Sequence, residues 1–277
     1  MNKIDKVILV TGASSGLGFA VAKQLSQVGC TVYAGARSHK GMPCEDDNPL
    51  KKVYLDVTDQ GSIDNLVNNI IAQKGRIDVL INCAAMLVIG SVEDTSIKEY
   101  EQVLNTNLAG TIRMCKAVLP KMRAQHSGHI INFSSIMGLL AIPFQSAYIS
   151  SKFAIEGFSE ALSMETKAFG IKVTLIEPTD HKSGSQKYRP HAALSGSGDS
   201  AYRELFLRVT SKIEYDESHG SDPEVLSRLI TKVIQCKKPK LRYMVGKFDQ
   251  KLSVAIKKIL PGRVFESIIF SYYNSGK

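Results

Sequence analysis

The sequence lacks long apolar runs, paired cysteines and abundant proline, and each absence excludes a class of protein. No run approaches the ~18 apolar residues of a membrane-spanning helix. The short apolar run at residues 7–10 passes directly into glycines, so we expect neither a membrane span nor a secretory signal. Nine prolines and 22% charged residues among 277 argue against a disordered chain. We therefore expect a globular protein that is soluble or at most peripheral to a membrane.

The five cysteines form no Cys-x-x-Cys pair, and their number is odd. Several lie in apolar runs, which predicts free, mostly buried thiols in a reducing compartment. We expect a cytoplasmic protein without a metal site. The cysteines are Cys30, Cys44, Cys83, Cys115 and Cys236.

The formal net charge is +9, but the basic residues are scattered, with their densest group at residues 237–242. No cluster of basic and aromatic residues resembles a nucleic-acid reader, so we expect no nucleic-acid partner. A polyanionic cofactor also favours a positive field around its cleft.

Short β-branched runs alternate with helical stretches through the first two thirds of the chain, which predicts a parallel sheet with crossover helices in one α/β domain over residues 1–277. Most of the strands are nearly continuous apolar runs, as expected of strands covered on both faces. The predicted strands are residues 6–10, 31–34, 53–56, 79–83, 129–133, 172–177 and 241–245. The predicted helices are residues 17–28, 63–72, 97–123, 147–169 and 221–236, the last opened by a capping box of Ser221 and Glu224.

Residues 11–18 read Thr-Gly-Ala-Ser-Ser-Gly-Leu-Gly, between the first strand and the first helix. The glycines permit a tight turn and a close approach of backbone to a pyrophosphate, while the helix N-terminus supplies N–H donors and a favourable dipole. This context predicts a doubly wound, Rossmann-type parallel sheet of about seven strands with helices on both faces. The cofactor-binding residues predicted in the turn are Gly12, Ser14, Ser15, Gly16, Leu17 and Gly18.

The end of the second strand predicts the choice of cofactor. A carboxylate there bonds the ribose 2′-hydroxyl of NAD, whereas an arginine accommodates the 2′-phosphate of NADP. Arg37 stands nineteen residues after Gly18, and its guanidinium is a permanently charged, bidentate fork for a phosphate. We therefore predict NADP(H). Additional hydrogen bonds are expected from Ser14, Ser38 and His39.

Tyr148 and Lys152 lie four residues apart at the start of a predicted helix, so both project from one face. Ser135 lies thirteen residues upstream, just after the fifth predicted strand. A tyrosine of ordinary pKa, about 10, is a poor acid or base at neutral pH, and a neighbouring ammonium moves that pKa toward the working range. We predict that Tyr148 exchanges the proton, Ser135 hydrogen-bonds the substrate oxygen, and Lys152 tunes the phenol and reaches the nicotinamide ribose.

Together these motifs resemble the short-chain dehydrogenase/reductase family over roughly residues 4–185, nearest its hydroxysteroid and retinol dehydrogenase branch. The resemblance implies that Asn107 completes a catalytic tetrad by holding a water between Lys152 and solvent, and that Asp56 contacts the adenine. Further cofactor-binding positions carried over from the family are Val57, Asn82, Ala84, Pro178, Thr179 and Ser183. Two positions depart from its pattern. Ala85 replaces a glycine and is expected to crowd the nicotinamide side, and Thr179 replaces another.

Two segments bear on the substrate. Residues 179–214, rich in Ser, Gly, His and Lys, are predicted to form a lid that ligands order. The extension at residues 247–277 is apolar on one side and basic around it, so it packs on the core, forms a subunit interface, or touches a membrane. These features predict a bulky apolar ketone or alcohol, such as a hydroxysteroid, bile acid, retinoid or lipid ketone. The apolar residues of the lid are Tyr188, Leu194, Tyr202, Leu205 and Phe206.

Several alternatives stay open beside this NADP(H)-dependent oxidoreductase. A carbonyl reductase of polar short-chain substrates has the same motifs. Sugar-nucleotide epimerases share the Tyr-Lys pair but differ in glycine spacing, and a non-catalytic NADP(H)-binding regulator is expected to lose the Tyr or Lys. We expect a homodimer or homotetramer.

Overall fold

The structure, a computed structural model, describes residues 4–41, 48–184, 189–192 and 194–275. The strands within those residues are β1 (Val7–Thr11), β2 (Thr31–Ala36), β3 (Leu50–Tyr54), β4 (Val79–Asn82), β5 (Gly128–Phe133), β6 (Ile171–Pro178) and β7 (Arg242–Val245). The α-helices are α1 (Gly16–Gln27), α2 (Gln60–Lys74), α3 (Ile97–Leu104), α4 (Gly110–Ala124), α5 (Ser146–Thr166), α6 (Arg203–Ser218), α7 (Pro223–Gln235), α8 (Phe248–Lys257) and α9 (Gly262–Asn274).

All seven strands form one parallel sheet in the order β3-β2-β1-β4-β5-β6-β7. The strand order reverses between β1 and β4, and in such sheets the crevice beyond the carboxyl ends of the strands at this point is where ligands bind. The predicted doubly wound, Rossmann-type fold is confirmed.

Helices cover both faces of the sheet because its central strands are apolar on both sides; every residue of β1 and β4 is buried. On one face, α1 and α7 pack together through Val21, Leu25, Leu226 and Ile230. On the other face, α2 and α4 cover the strands. A third apolar cluster lies outside the sheet, where side chains of α6, α8 and α9 pack with residues of the loops after β4 and β5. Tyr148 packs against this cluster and so adjoins a region to which the C-terminal helices contribute.

Strand β3 is displaced from its predicted position, since it covers Leu50–Tyr54 rather than residues 53–56. It is an edge strand in which buried and exposed residues mix, so it lacks the continuous apolar run that marks the central strands. Asp56 instead lies in a turn, where its carboxylate accepts hydrogen bonds from the amide and the hydroxyl of Thr58.

Two helix predictions also need correction. The helix predicted over residues 97–123 is divided by a π-helical turn at Asn105–Ala109, which separates α3 from α4. The cap of α7 is Asp222, whose carboxylate accepts a hydrogen bond from Glu224 N at 2.8 Å. Ser221 instead pairs its backbone with that of His181. Ser221 and Glu224 have the spacing of a capping box, but Asp222, one residue after Ser221, accepts the hydrogen bond at the N-terminus of α7.

The predicted lid is only partly a loop, because α6 begins at Arg203 and takes up its last part. Before that helix, the chain runs across the loop that follows β4. Ile89 N donates to Pro190 O at 3.2 Å, Ala192 N donates to Ile89 O at 2.8 Å, and Ser91 N donates to the hydroxyl of Ser195 at 3.1 Å. Tyr188, predicted as part of the lid surface, lies outside the described residues. The described part of this segment is therefore held against the loop that follows β4.

The C-terminal extension forms α8 and α9, which pack on α6 through Val254, Phe265 and Tyr273. No helix within the described residues is long and apolar enough to cross a membrane. Cys30, Cys83, Cys115 and Cys236 are free thiols, and Cys44 lies outside the described residues.

Candidate active site

The turn after β1 is shaped by glycines that have no room for a side chain. Gly12 and Gly16 adopt φ angles of 66° and 57°, in the left-handed region. A Cβ on Gly18 would lie 2.3 Å from the carbonyl oxygen of Gly12, and one on Gly12 would lie 2.6 Å from the Cα of Ala84. The turn therefore leaves a cradle of bare backbone at the start of α1, which fits a pyrophosphate.

The helix α1 opens without a side-chain cap. Ser15 occupies the N-cap position, but its hydroxyl caps no backbone N–H, and both Ser14 and Ser15 are exposed. The first amides of α1 are thus available to an anion. Thr11, to which sequence reasoning gave no role, fixes the other wall, because its hydroxyl accepts hydrogen bonds from Cys83 N and Ala84 N at 3.1 and 3.0 Å.

Arg37 and Ser38 are exposed in a short 3-10 turn directly after β2, at the rim of the cradle. The predicted contribution of His39 is not supported by its position. Its ring is buried, and its Nδ1 lies 3.0 Å from the carbonyl oxygen of Ala34. Arg37 and Ser38 are therefore the exposed polar side chains of this turn, and their contact with a cofactor stays a prediction.

Asp56 lies on the same rim. Partial burial raises the pKa of its carboxyl, but the hydrogen bonds from Thr58 and the charge of Arg37 outweigh burial and hold that pKa below its ordinary value. The nearby charge of Arg37 shows that the two groups predicted to contact the adenosine end of the cofactor lie close together. Val57, the next residue, is buried and contacts the start of α4.

The catalytic residues predicted from the sequence converge at the carboxyl end of β5. Ser135 and Tyr148 share a side-chain hydrogen bond. The Nζ atom of Lys152 donates to the carbonyl oxygen of Phe133 at 2.7 Å and lies 5.4 Å from the centroid of the Tyr148 ring. The first turn of α5 thus places the phenol and the ammonium side by side, with the serine hydroxyl opposite.

Burial changes the acidity of both groups on α5. It raises the pKa of Tyr148 to about 12, although the bond with Ser135 and the charge of Arg189 lower it. Burial also lowers the pKa of Lys152 to about 8, against the opposing influence of Cys83 and Glu156. The expectation that Lys152 moves the pKa of Tyr148 toward neutrality is therefore not met, because burial of the phenol outweighs the groups that lower its pKa. Near neutral pH the phenol holds its proton beside a charged ammonium, which suits proton donation to a reacting oxygen.

Asn107 lies in the π-helical turn, and π-turns often mark functional sites. Its amide is fully buried and fixed by three hydrogen bonds: Oδ1 accepts from Met86 N at 2.7 Å, while Nδ2 donates to Met86 O and to the hydroxyl of Ser151, each at 2.9 Å. Ser151 was missed by sequence reasoning although it directly precedes Lys152. The turn thereby links the loop after β4 to the catalytic helix.

Two predicted positions after β4 differ in exposure. The Asn82 amide turns into the sheet, where Nδ2 donates to Asn132 Oδ1 at 2.9 Å, so its side chain is part of the core. Ala85 is exposed, and the non-glycine residues with positive φ among those described are His126 and Phe144. Ala85 is therefore exposed on ordinary backbone, and the expected crowding beside the nicotinamide stays a prediction.

The chain after β6 closes over the cradle from the far side. Pro178 is buried at the end of the strand, and the hydroxyl of Thr179 accepts a hydrogen bond from Lys247 N at 2.8 Å. Ser183 lies against the glycine turn, because a Cβ on Gly16 would be 3.2 Å from its carbonyl oxygen. Of these residues, Ser183 is the one that directly adjoins the phosphate cradle.

Comparison with known proteins places this geometry in a family. The model of the short chain dehydrogenases matches residues 6–193. The chain belongs to the short-chain dehydrogenase family. Its sequence is 40% identical over 268 residues to a 3-ketodihydrosphingosine reductase of Bacteroides thetaiotaomicron, covering 97% of this chain and 98% of that one. It is 31% identical to bovine retinol dehydrogenase 8, with 87% and 82% of the two chains covered. A short-chain dehydrogenase from Streptomyces avermitilis has a matching structure, with a TM-score of 0.79, 30% identity and 98% of each chain covered.

As a short-chain dehydrogenase, the protein is an oxidoreductase that uses a nicotinamide cofactor and a small-molecule substrate. The bare cradle, the open start of α1 and the Arg37 rim fit such a cofactor, which supplies or accepts the hydride when bound. The family match ends at residue 193, so α6 to α9 lie outside it. Sequence reasoning also missed an ion pair on this outer side, between Arg189 and Glu217, whose charges both act on Tyr148.

Proposed function

We propose that this short-chain dehydrogenase is an NADPH-dependent reductase that converts a long-chain, amphiphilic ketone to its secondary alcohol. The observation that carries the proposal is the position of Tyr148. Its phenol lies beside Ser135 and Lys152, and its ring packs against the apolar cluster to which α6, α8 and α9 contribute. A carbonyl held at the phenol therefore has an apolar wall beside it, as a lipid chain requires.

The protonation of the site suits the reductive direction that we propose. With the pKa of Tyr148 at about 12, the phenol is protonated through the neutral range and is ready to donate to a carbonyl oxygen. Ser135 is placed to hydrogen-bond that oxygen as negative charge develops on it. Oxidation would instead require the phenolate, which is scarce at neutral pH.

The ion pair of Arg189 and Glu217 supports an amphiphilic rather than a wholly apolar substrate. Arg189 Nη2 and Glu217 Oε1 are 2.5 Å apart, with side chains that are 5% and 13% exposed. Glu217 continues the stripe of α6 that buries Val209 and Ile213 in the apolar cluster. A charged pair at the end of this stripe places polar atoms beside the apolar cluster, so a bound chain that carries a polar group near its carbonyl meets both kinds of surface.

The relatives support the same substrate class. The Bacteroides relative is named as a reductase of a keto sphingolipid, and the bovine relative as a retinol dehydrogenase. Because the Bacteroides protein covers nearly the whole chain, its similarity includes the helices α6 to α9 that form the apolar wall. The preference for NADPH is proposed from Arg37, which lies exposed beside Asp56.

The test is oxidation of NADPH and of NADH by the purified protein with four ketone classes: long-chain ketones with and without an adjacent polar group, ketosteroids, and polar short-chain ketones. We expect the long-chain amphiphile to have the highest kcat/KM. A higher value for the polar short-chain ketones would establish the small carbonyl reductase instead. Cofactor binding without turnover of any ketone would favour a non-catalytic regulator.

Variants of α6 sharpen the assignment of the polar group. Glu217→Gln removes the charge from the ion pair, whereas Glu214→Gln removes an exposed charge from the same helix. We expect Glu217→Gln to reduce the preference for the amphiphile over the matched plain ketone by about tenfold, roughly one charge-assisted hydrogen bond. Equal preference in the two variants would remove the ion pair from the proposal and leave the reductase assignment intact.

The C-terminal helices are further proposed to contact anionic membranes from the cytoplasm. Phe248 and Ile259 are 76% and 82% exposed, and Lys251 and Lys258 stand beside them in the sequence. Apolar side chains ringed by lysines favour the interface of an anionic bilayer, where a lipid ketone is found. Co-sedimentation with phosphatidylserine vesicles checks this. Replacing both apolar residues by serine is expected to abolish binding, and unchanged binding would contradict the proposal.

A homodimer or homotetramer is proposed from helix α5, which places Phe153 and Met164 at the surface, 43% and 73% exposed. Apolar side chains of this size on one helix favour contact with a second copy. Light scattering of the wild type and of Met164→Glu is the measurement. We expect an oligomer that the variant dissociates, and a monomeric wild type would contradict the proposal.

A further inference from the structure

A group of buried charges lies next to residues predicted to form the active site. Arg242 of β7 forms ion pairs with three carboxylates from two other elements. Its Nε atom lies 3.0 Å from Glu156 Oε2 and 3.3 Å from Glu177 Oε1, and a terminal nitrogen binds Glu160. Since Glu160 is half exposed, water solvates its charge, whereas Glu156 and Glu177 are 9% and 1% exposed.

The single hydrogen on Nε cannot serve both buried carboxylates. It is donated to Glu156, so Glu177 has the positive charge nearby but no hydrogen-bond partner for Oε1 among the described residues. Two buried carboxylates beside one guanidinium leave an uncompensated negative charge if both ionise, which is costly away from water. Binding one proton relieves that cost.

Each member of this group adjoins a part of the active site. Glu156 is one helical turn beyond Lys152 on α5, and it lies close enough to Ser134, the neighbour of Ser135, for that hydroxyl to lower its pKa. Glu177 directly precedes Pro178 at the carboxyl end of β6. The two buried carboxylates are therefore carried by α5 and β6, next to residues predicted to form the active site.

We propose that Glu156 and Glu177 share one proton and that its release sets the charge beside Lys152. Both act through the lysine and are positioning residues. While the proton is held, a single negative charge stands one turn from the ammonium. When it leaves, a second negative charge stabilises the ammonium, and Lys152 stays charged to higher pH.

The surrounding groups agree with this assignment. Burial and the charge of Glu156 together raise the pKa of Glu177 to about 7, against the lowering charges of Arg242 and Lys258. Burial likewise raises the pKa of Glu156, which Ser134 and Arg242 oppose and Glu160 supports. Lys152 in turn is influenced by Cys83 and Glu156. The proton is therefore expected to leave near neutral pH.

The first test uses the apoprotein and does not depend on catalysis. A carboxyl whose folded pKa is above its unfolded pKa of 4.5 binds more protons when folded, so its contribution to stability falls as pH rises from 4.5 to about 7. In Glu177→Gln the glutamine cannot ionise, so the free energy of unfolding is expected to lose this decrease between pH 4.5 and 7. The free energy is measured by urea unfolding at each pH. Glu160→Gln, which alters the exposed partner of the same arginine, is the matched control and is expected to keep the decrease.

The second test is the pH dependence of kcat/KM for NADPH-linked reduction. We expect kcat/KM to change near pH 7 in the wild type and in Glu160→Gln, and this change to be absent in Glu177→Gln. In Glu156→Gln, we expect Lys152 to lose its charge at a pH about one unit lower than in the wild type. A change of rate without a change of profile would indicate a merely structural role and overturn the proposal.

Infrared difference spectra of the wild-type apoprotein keep the proposal testable if the variants fail to fold. A buried, protonated carboxyl is expected at pH 6 and is expected to be gone at pH 8. Absence of such a band at pH 6 would overturn it. If the protein reduces no ketone but the apoprotein titrates as expected, the proposed function is contradicted. The shared proton of Glu156 and Glu177 is then still supported.

Discussion

The cofactor side and the substrate side of this enzyme are held by different kinds of contact. On the cofactor side, backbone within one turn forms the cradle, and the contacts that shape it involve Gly12, Gly16 and Gly18 together with Thr11. On the proposed substrate side, side chains from α6, α8 and α9 join an apolar cluster against which Tyr148 packs, and this cluster spans long sequence separations. The cradle on the cofactor side tolerates almost no substitution of its glycines, because an added side chain would collide with neighbouring backbone atoms. The proposed substrate side is formed by apolar packing that different sequences can achieve.

The strongest test of this comparison is Tyr148→Phe, because Tyr148 is the proposed proton donor and packs against the apolar cluster while the cradle does not include it. The phenylalanine keeps the packing of the ring but removes the proton donor, so we expect kcat to fall by about a thousandfold. NADPH affinity, measured by fluorescence titration, should stay within about twofold because the cradle is unchanged. A tenth of wild-type activity in this variant would show that the phenol is not the acid.

A methyl group on the cradle is expected to have the next largest effect. Gly18→Ala places a Cβ against the carbonyl oxygen of Gly12, which must then move, and we expect NADPH to bind roughly thirtyfold more weakly, about 2 kcal/mol. Gly157→Ala is the matched control, because its Cβ meets open space on α5. The control should bind NADPH normally and gain about 0.5–1 kcal/mol of stability. Equal affinity in the two variants would contradict the assignment of the cradle.

The preference for NADPH over NADH is expected to depend on a smaller free energy than cofactor binding to the cradle does. Arg37→Ala should reduce kcat/KM with NADPH by about tenfold, roughly 1.4 kcal/mol, and should leave the value with NADH unchanged. Arg228→Ala, which removes an exposed arginine from α7, is the control. If both cofactors lost equally in Arg37→Ala, the side chain would be acting on the fold instead of on a phosphate.

The smallest expected effect concerns α7, which joins the two regions by packing on α1. Asp222→Ala removes the carboxylate that caps this helix and should cost about 1 kcal/mol in the free energy of unfolding. Ser221→Ala should cost much less, since the bridge to His181 uses backbone atoms. Equal losses, measured by urea unfolding, would restore Ser221 as the cap.

The two regions also differ in how far the sequence predicted them. The position of the cradle and the meeting of Tyr148 with Lys152 could be predicted, because a left-handed turn and an i to i+4 spacing are local constraints. Helix α6 was hidden by a long Ser- and Gly-rich neighbourhood, and its N-cap position, Tyr202, provides no side-chain cap. The ion pair of Arg189 and Glu217 joins residues 28 positions apart, so no local pattern announced it.

The packing of α7 on α1 has a consequence for synthesis of the chain. Val21 and Leu25 are made early, but the partners that cover them, Leu226 and Ile230, emerge from the ribosome about two hundred residues later. At a typical elongation rate of ~5–20 residues per second, this apolar face of the first helix stays uncovered for roughly ten seconds or more. The nascent enzyme is therefore most exposed to aggregation, and most in need of a chaperone, on the side of the sheet away from its catalytic tyrosine.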